Sequence, residues 1–439
     1  MTLAATIFTL VAAIALLMLP RKWAALPLLI GACYMTLGQG IEIGPFSFTV
    51  IRLLIAAGLA RVMIRGERPS GGWNRLDKLM PAWSIWLIIS SFFHEMPVDT
   101  LIFSFGRIYN TVGIYFLIRC FSQTRDDLIG IVKMIAILLV PVALEMLSEQ
   151  FTHRNLFSVF GGVPEQPSIR NGRLRSQGPF AISILSGTVG ATCAPIMLGL
   201  WSIHKRLAIL GLSACILIVL SSASSGPVMS LLFSVFALAV WPWRHLTGHM
   251  RMAAVAFYIL LELVMKAPAY YLIARIDIAG GSTGYHRAAL IQSAITYFNE
   301  WWFAGTDYTR HWMAYGVTWS ENHADITNHY LAQGVRGGFL LMLIFMMSMW
   351  YGFKNIGDTL REDPLAPKDY QFFVWTVGAS LFAHAMSCVS IAYFDQSFVF
   401  LYFTLAATAA LKSYTVSSPW SEPIVESESA LLHAEEPVA

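Results

Sequence analysis

Hydrophobic positions along the chain fall in long blocks that can be read with one ruler, since a helix crossing a bilayer needs about 20 mainly apolar residues. Blocks near 3–19, 23–41, 46–64, 79–93, 100–120, 129–147, 179–201, 207–221, 224–243, 252–272, 337–353, 371–391 and 396–412 meet it. They predict an all-α fold: a polytopic transmembrane helix bundle of about 12–14 helices. The first block has no charged leading region and no small-residue cleavage site, so it reads as a retained helix rather than a signal peptide.

Lysine and arginine orient these blocks, because positive charge gathers in short cytoplasmic loops. One set of alternate loops holds Arg21 and Lys22; Arg65, Arg68, Arg75 and Lys78; Arg125; Lys205 and Arg206; Arg244 and Arg251; Lys354, Arg361 and Lys368. The short loops of the other set, at 42–45, 94–99, 221–223 and 392–395, hold none, which places the first set in the cytoplasm. Composition agrees, with 56% of residues hydrophobic and only 13% charged, about half the charged share of a soluble domain. That is too little polar material to coat the two or three globular domains the length would otherwise allow. A net charge of +3, thinly spread, lacks the basic face that nucleic acid requires, so no nucleic-acid partner is expected.

The chain then divides into N-terminal helices (1–147), a first long external loop (148–178), central helices (179–272), a large external loop (273–336), C-terminal helices (337–412) and a tail (413–439). The tail is aperiodic and rich in Ser, Pro and Glu, and reads as disordered and cytoplasmic. The large loop is longer than a connector needs to be. It carries Trp301, Trp302, Trp312, Trp319, Tyr285, Tyr297, Tyr308 and Tyr315, residue types that favour the membrane–water interface. Ile291, Ile295, Phe298 and Trp302 share one helical stripe after a Ser282/Thr283 cap, predicting an amphipathic helix along the outer interface. A helix packed on the bundle with no ligand has the same features.

Ionisable residues inside apolar blocks are costly and therefore informative. On this orientation Arg52 and Arg107 lie about two turns below the outer surface. Glu145, Glu262, Lys266 and His384 lie near outer helix ends, and His94, Glu95 and Asp395 in short external loops. With Arg170, Arg173, Arg175 and Arg287 they predict one polar chamber opening outward. Duller readings stand beside it. Glu262 and Lys266, four apart, can neutralise each other; Arg52 and Arg107 can snorkel or pair with Glu145; His94 and His384 can be structural. Cys33, Cys120, Cys193, Cys215 and Cys388 have no metal or redox spacing and read as packing residues. There is no phosphate loop, GxSxG elbow or HExxH helix, nor a DxD pair in an external loop, so no cofactor or metal is expected. Phosphate would be handled by arginine, whose planar fork bonds its oxygens bidentately.

Two segments carry a resemblance. RLRSQGPF (173–180) precedes one block, and GYHRAALIQSAITYF (284–298) through ITNHYLAQGVRGG (326–338) leads into another. In order and placement they resemble the O-antigen ligase and O-antigen polymerase superfamily, bacterial inner-membrane glycosyltransferases of the C type. Those enzymes take glycan from an undecaprenyl-diphosphate carrier on the periplasmic face. The resemblance implies that location and C-type character here. It implies as partners an undecaprenyl-diphosphate-linked oligosaccharide, an acceptor glycan, the lipid bilayer, and chain-length regulator and export proteins. The family's Arg-x-x-Gly-x-Phe pattern matches Arg175, Gly178 and Phe180. Its arginine opening the large loop's helix matches Arg287, and its closing pattern matches Asn328, Tyr330, Leu331, Gly337 and Gly338. The family's histidine position holds Thr327, with His329 two residues later, and a middle Ser-Arg-Gly element reads SSASSGP (221–227). The displaced histidine favours the polymerase-like branch of exopolysaccharide and capsule over a lipid-A-core ligase.

The implied reaction moves glycan from the carrier to a sugar hydroxyl. Arg175 and Arg287 would clamp the diphosphate, and His329 or Glu145 would take the proton. Arg173, Arg52, Arg107, Glu145, Asn328 and Tyr330 are the expected substrate-binding residues. The rival is a lipid-linked oligosaccharide flippase or polysaccharide exporter. Such a protein needs charge in the inner halves of its helices, which look apolar apart from edge residues such as Arg61, Arg119 and Lys133. Inverted repeats are not evident either.

Overall fold

The computed structural model describes residues 1–275, 284–313, 318 and 320–417. Ser282, Thr283, Tyr315, Trp319 and the tail from 418 lie outside the described residues. In chain order the elements are α1 (Leu3–Met18), α2 (Ala25–Tyr34), β1 (Gly40–Ile43), β2 (Phe46–Thr49), α3 (Val50–Arg65), α4 (Arg75–Ser91), α5 (Pro97–Phe121) and α6 (Arg125–Thr152). There follow β3 (Ser168–Arg170), β4 (Arg173–Arg175), α7 (Ser183–Leu198), α8 (Lys205–Ser221), α9 (Ser225–Ala239), α10 (Thr247–Val264), α11 (Leu272–Arg275) and α12 (Gly284–Thr296). The last are α13 (Phe298–Trp301), α14 (His329–Glu362), α15 (Lys368–Ser387) and α16 (Phe398–Ser417). The chain is mostly helical, and each apolar block contains a helix. Two small antiparallel hairpins, β1–β2 and β3–β4, depart from an all-α fold.

Among the described residues four helical stretches are long and apolar enough to cross a membrane: Pro97–Phe121, Arg125–Thr152, Trp241–Val264 and His329–Glu362. Leu3–Met18, Ser183–Leu198, Ser225–Ala239 and Phe398–Tyr414 are apolar but shorter. The number falls below the expectation because an apolar block need not be helical throughout. The block at 23–41, for example, gives only Ala25–Tyr34 before the chain turns into β1. Boundaries shift for local reasons. α6 runs past 147 to Thr152, where His153 caps it in a left-handed conformation. α16 runs past 412 to Ser417. Capping boxes start α4 (Asn74 with Asp77) and α6 (Thr124 with Asp127).

The helices pack side by side, α14 against α4, α15 and α16, and α6 and α7 against α8. α10 has no buried residue. At the end of the molecule where α3 stops and α6 starts, arginines meet acids: Arg21–Asp127 at 3.1 Å, Arg61–Glu67 at 2.8 Å, Arg119–Asp77 at 3.0 Å and Arg125–Asp363 at 3.3 Å. Arg119 and Asp77 are both fully enclosed. The Tyr115 hydroxyl donates to Asp77 at 2.7 Å, and Arg119 also donates to the Ser70 and Gly72 carbonyls and to Ser413 Oγ. One ion pair thereby ties α4, α5 and α16 together.

At the opposite end α14 is broken. Gly337 and Gly338 leave the helical conformation, Gly338 at φ +76°. A Cβ on Gly338 would collide with the Phe303 carbonyl. The Phe339 N–H donates to Trp302 O (2.7 Å), the Thr306 N–H to Val335 O (2.8 Å) and Trp86 Nε1 to Gly337 O (2.7 Å). The 301–306 turn therefore sits in the break. Eight residues expected in the large loop, 329–336, form the first segment of α14.

Removing the acid from the enclosed pair tests its structural weight. Asp77→Ala leaves Arg119 uncompensated, a loss of about 3–5 kcal/mol. Thermal unfolding of the purified chain in detergent should show a clearly lowered midpoint; an unchanged midpoint would refute the assignment.

Candidate functional site

The segment after β4 is held by hydrogen bonds from three directions. The Gln177 and Gly178 N–H groups donate to the Glu149 carboxylate of α6 at 3.0 and 2.7 Å. Asn155 Nδ2 donates to Gly178 O (2.8 Å) and Gln396 Nε2 to Pro179 O (2.6 Å). The Ala181 N–H reaches Asp395 Oδ2 at 2.8 Å, and the Ser176 N–H reaches Ser221 O at 3.0 Å. Gly178 has φ +58°, a conformation that favours glycine, and Phe180 is wholly buried beside it. Arg175 leaves from the fixed edge of this turn, and its Nη2 donates to Ser224 Oγ at 2.6 Å.

Arg287 reaches the same place from the first turn of α12, on that helix's buried side. A Cβ added to Gly226 would lie 3.8 Å from Arg287 Nη2 and 3.7 Å from Ser390 Oγ. Arg175, at Ser224, and Arg287, near Gly226, thus both lie at the start of α9, which is where the SSASSGP element turns. Burial, and after it the charge of Arg170, pushes both guanidinium groups below their ordinary value, yet a guanidinium remains charged near neutrality. The buried Nε of each has no partner among the described residues. Arg173, two residues earlier on β4, is exposed. The arrangement is a cationic corner at a helix N-terminus, suited to an anion with several oxygens.

Other expected site residues stand elsewhere. His329 is 4% exposed; its Nδ1 accepts from the Tyr393 N–H at 3.2 Å, and its ring packs on Phe345 and Tyr393. Asn328 caps α14, accepting from the Leu331 N–H at 3.1 Å, and Tyr330 donates to Ala385 O at 3.0 Å. Glu145 is buried behind the 176–181 turn and accepts from the Leu156 N–H at 3.0 Å, so it pairs with neither Arg52 nor Arg107. Glu262 accepts from the Ala269 N–H at 2.8 Å, and Lys266 lies beyond the end of α10, so the four-residue pairing does not form. His384 bonds the Tyr393 hydroxyl at 2.8 Å. His94 places Nδ1 2.6 Å from Asp307 and Nε2 3.1 Å from Ala304 O, closing the 304–307 turn.

Arg52 and Arg107 belong to a second group. Arg52 lies across α5, its Nη2 2.7 Å from where a Cβ on Gly106 would be, and its Nε donates to Asn110 Oδ1 at 3.1 Å. Arg107 interacts electrostatically with Arg52, Tyr402, Arg336 and His329. The expected single chamber therefore resolves into two arginine groups, with the 388–393 segment touching both. Its Ser390 borders Arg287, and its Tyr393 holds His329.

Sequence reasoning passed over Glu149, Ser224, Arg336 and Asp325. Glu149 was signalled by its four-residue spacing from Glu145 on one helix face, and Arg336 by the glycine pair that follows it. Asp325, on the stretch leading into α14, stands beside His286 of α12, whose Nε2 donates to Asp325 O at 3.0 Å. Burial pushes the Asp325 carboxyl above its ordinary value, and His286 partly offsets this. Among the described residues no three His, Cys, Asp or Glu side chains gather as a metal ion would need. The aromatic stripe splits between α12 and α13, with Ile295, Phe298 and Trp302 exposed and Leu290, Ala294 and Trp301 buried. No family model and no curated protein matches this chain.

The Glu149 anchor carries a prediction. Glu149→Ala strands two buried N–H groups, at about 1–3 kcal/mol each, and releases the edge that presents Arg175. Trypsin should then cut after Arg173 and Arg175 markedly faster than in the wild type. Equal cleavage rates would show that Glu149 does not hold the turn.

Proposed function

We propose that this chain is a glycosyltransferase of the inner membrane of a bacterium, a polytopic bundle whose arginine corner faces the periplasm. It transfers glycan from an undecaprenyl-diphosphate carrier to an acceptor sugar and polymerises repeat units of exopolysaccharide, capsule or O-antigen. The observation that supports this most is the approach of Arg175 and Arg287, from two distant loops, to Ser224 and Gly226 at the start of α9. Both arginines also occupy positions matched by the family resemblance.

In this reaction the glycosidic bond to the carrier breaks and the electron pair stays on the diphosphate oxygen. The catalytic need is to stabilise that charge as it grows, which preorganised donors do without further rearrangement. Arg175, fixed by Ser224 and the anchored turn, and Arg287, fixed by burial on α12, supply those donors. The acceptor hydroxyl loses its proton to Asp325, whose carboxylate is influenced by His286 of α12 and holds no backbone group among the described residues. His329 is already engaged by the Tyr393 N–H and serves to fix the 388–393 segment.

A second reading, export of the lipid-linked glycan, draws on one feature: the interruption of α14 at Gly337–Gly338, since transporters build their sites at broken helices. Cysteine accessibility scanning separates the two, as transfer needs one outward-facing chamber and export needs alternating access.

Two tests follow. Arg175→Lys and Arg287→Lys keep a charge but lose the planar fork, and each should lower transfer from a polyprenyl-diphosphate-linked oligosaccharide by about 10²-fold or more at normal expression. Wild-type transfer in both would remove the clamp. Because the Asp325 carboxyl is raised and a base must be ionised, the rate should fall on the acid side through a pKa above the usual 3.9 or so. Asp325→Asn should abolish that limb together with most of the rate. An unchanged profile would rule Asp325 out.

A further inference from the structure

Three helices bring arginines together away from the α9 corner. Ser91 at the end of α4 bonds Ser104 of α5 at 2.8 Å, and a Cβ on Gly337 would sit 3.0 Å from Ser90 Oγ. That packing sets Arg107, one turn beyond Ser104, near Arg336, the residue before Gly337. Arg336 is also the last residue before the break in α14, and its carbonyl accepts from His94 Nε2 at 3.2 Å. Arg52 lies against Gly106 and reaches the same region from α3.

Arg107 and Arg336 have no hydrogen-bond or ion-pair partner among the described residues. The groups acting on them are each other, Arg52 and the uncharged phenol of Tyr402. Elsewhere on the same helices the chain does not leave enclosed arginine this way: Arg119 of α5 has Asp77, and Arg61 of α3 has Glu67. Both side chains are half-buried, and like charges that act on each other with no acid between them are costly unless a counter-ion is brought in. Ionisable groups on apolar helices that keep access to solvent mark a ligand path, and irregular backbone such as the break after Arg336 is tolerated where it lines one.

We propose that Arg107 and Arg336, flanked by Arg52, form a second phosphate-binding site, distinct from the Arg175–Arg287 corner. Its ligand carries at least two negative charges on oxygen, as a diphosphate does. A lone carboxylate would leave one of the two central guanidinium groups uncompensated. Arginine forks match phosphate oxygens in pairs. The site itself stands on geometry; its occupant as the diphosphate of a second lipid carrier, the one bearing the acceptor glycan, rests on the function proposed above. Two carriers held at once are what growth of one carrier-bound chain by another requires.

The test is equilibrium binding of inorganic pyrophosphate to the purified full-length chain in detergent micelles, with farnesyl diphosphate as competitor. The wild type should bind about two pyrophosphates, one per arginine group. Arg107→Gln with Arg336→Gln should remove one site and leave the other, and Arg175→Gln with Arg287→Gln should do the converse. Loss of binding only in the first pair would keep this site and sink the Arg175–Arg287 clamp. Undiminished binding in the first pair overturns the proposal. Should that pair aggregate, Arg107→Lys with Arg336→Lys keeps both charges. It should weaken one site about tenfold or more, the worth of one charge-assisted hydrogen bond, and unchanged affinity in it likewise overturns the proposal. Farnesyl diphosphate displacing pyrophosphate at both sites identifies a lipid-linked occupant. Displacement at the Arg175–Arg287 site alone identifies free phosphate at the second and overturns the carrier assignment.

Discussion

A guanidinium does not shed its charge inside a protein, so every arginine enclosed by these helices must be neutralised by an acid of the chain or left for something outside it. The chain applies the first solution at one end and the second at the other. Arg61, Arg119 and Arg125 are closed off by Glu67, Asp77 and Asp363. Arg107, Arg175, Arg287 and Arg336 have no carboxylate partner among the described residues. The division follows helix ends rather than burial, since Arg287 is 8% exposed and still lacks an acid.

That constraint explains where the backbone is irregular. At the acid-paired end α4 and α6 begin on capping boxes. At the other end the buried acids hold backbone instead of arginine, the Arg154–Glu165 pair being exposed. Glu149 holds two N–H groups of the 176–181 turn, Asp395 holds Ala181 and Ser397, and Glu145 holds Leu156. Carboxylates placed this way fix the loops that present Arg175 while staying off its guanidinium. Rigid loops with unneutralised cations are the preorganised state that binding an anion needs.

Most of the helices were legible because each needs only a local run of apolar residues. Arg175 and Arg287 could be picked out locally because each sits in a short pattern, one two residues before the Gln177–Gly178 turn and one in the first turn of α12. What the sequence hid was partnership between distant elements. Nothing local says that Arg107 and Arg336 lie close enough to act on each other, or that the Glu145 expected near a glycan supports a turn. The cap formed by Asn328 was signalled by its place just before a helix. The Glu262–Lys266 pairing failed since four-residue spacing means proximity only within a helix, and α10 ends at Val264.

The SSASSGP element joins these threads. It is a serine-rich turn without an arginine, with Ala223 at φ +42°. The turn serves as an acceptor: Ser224 Oγ takes Arg175 Nη2, and Ser221 O takes the Ser176 N–H. Positive charge at the start of α9 then comes from flanking elements, Arg170 on β3, Arg175 on β4 and Arg287 on α12. An arginine inside the helix would be fixed with the bundle, whereas charges on a hairpin and a loop helix are fixed only through the anchored turn. The site's geometry therefore depends on Glu149, Asn155, Asp395 and Gln396 more than on the helix it caps.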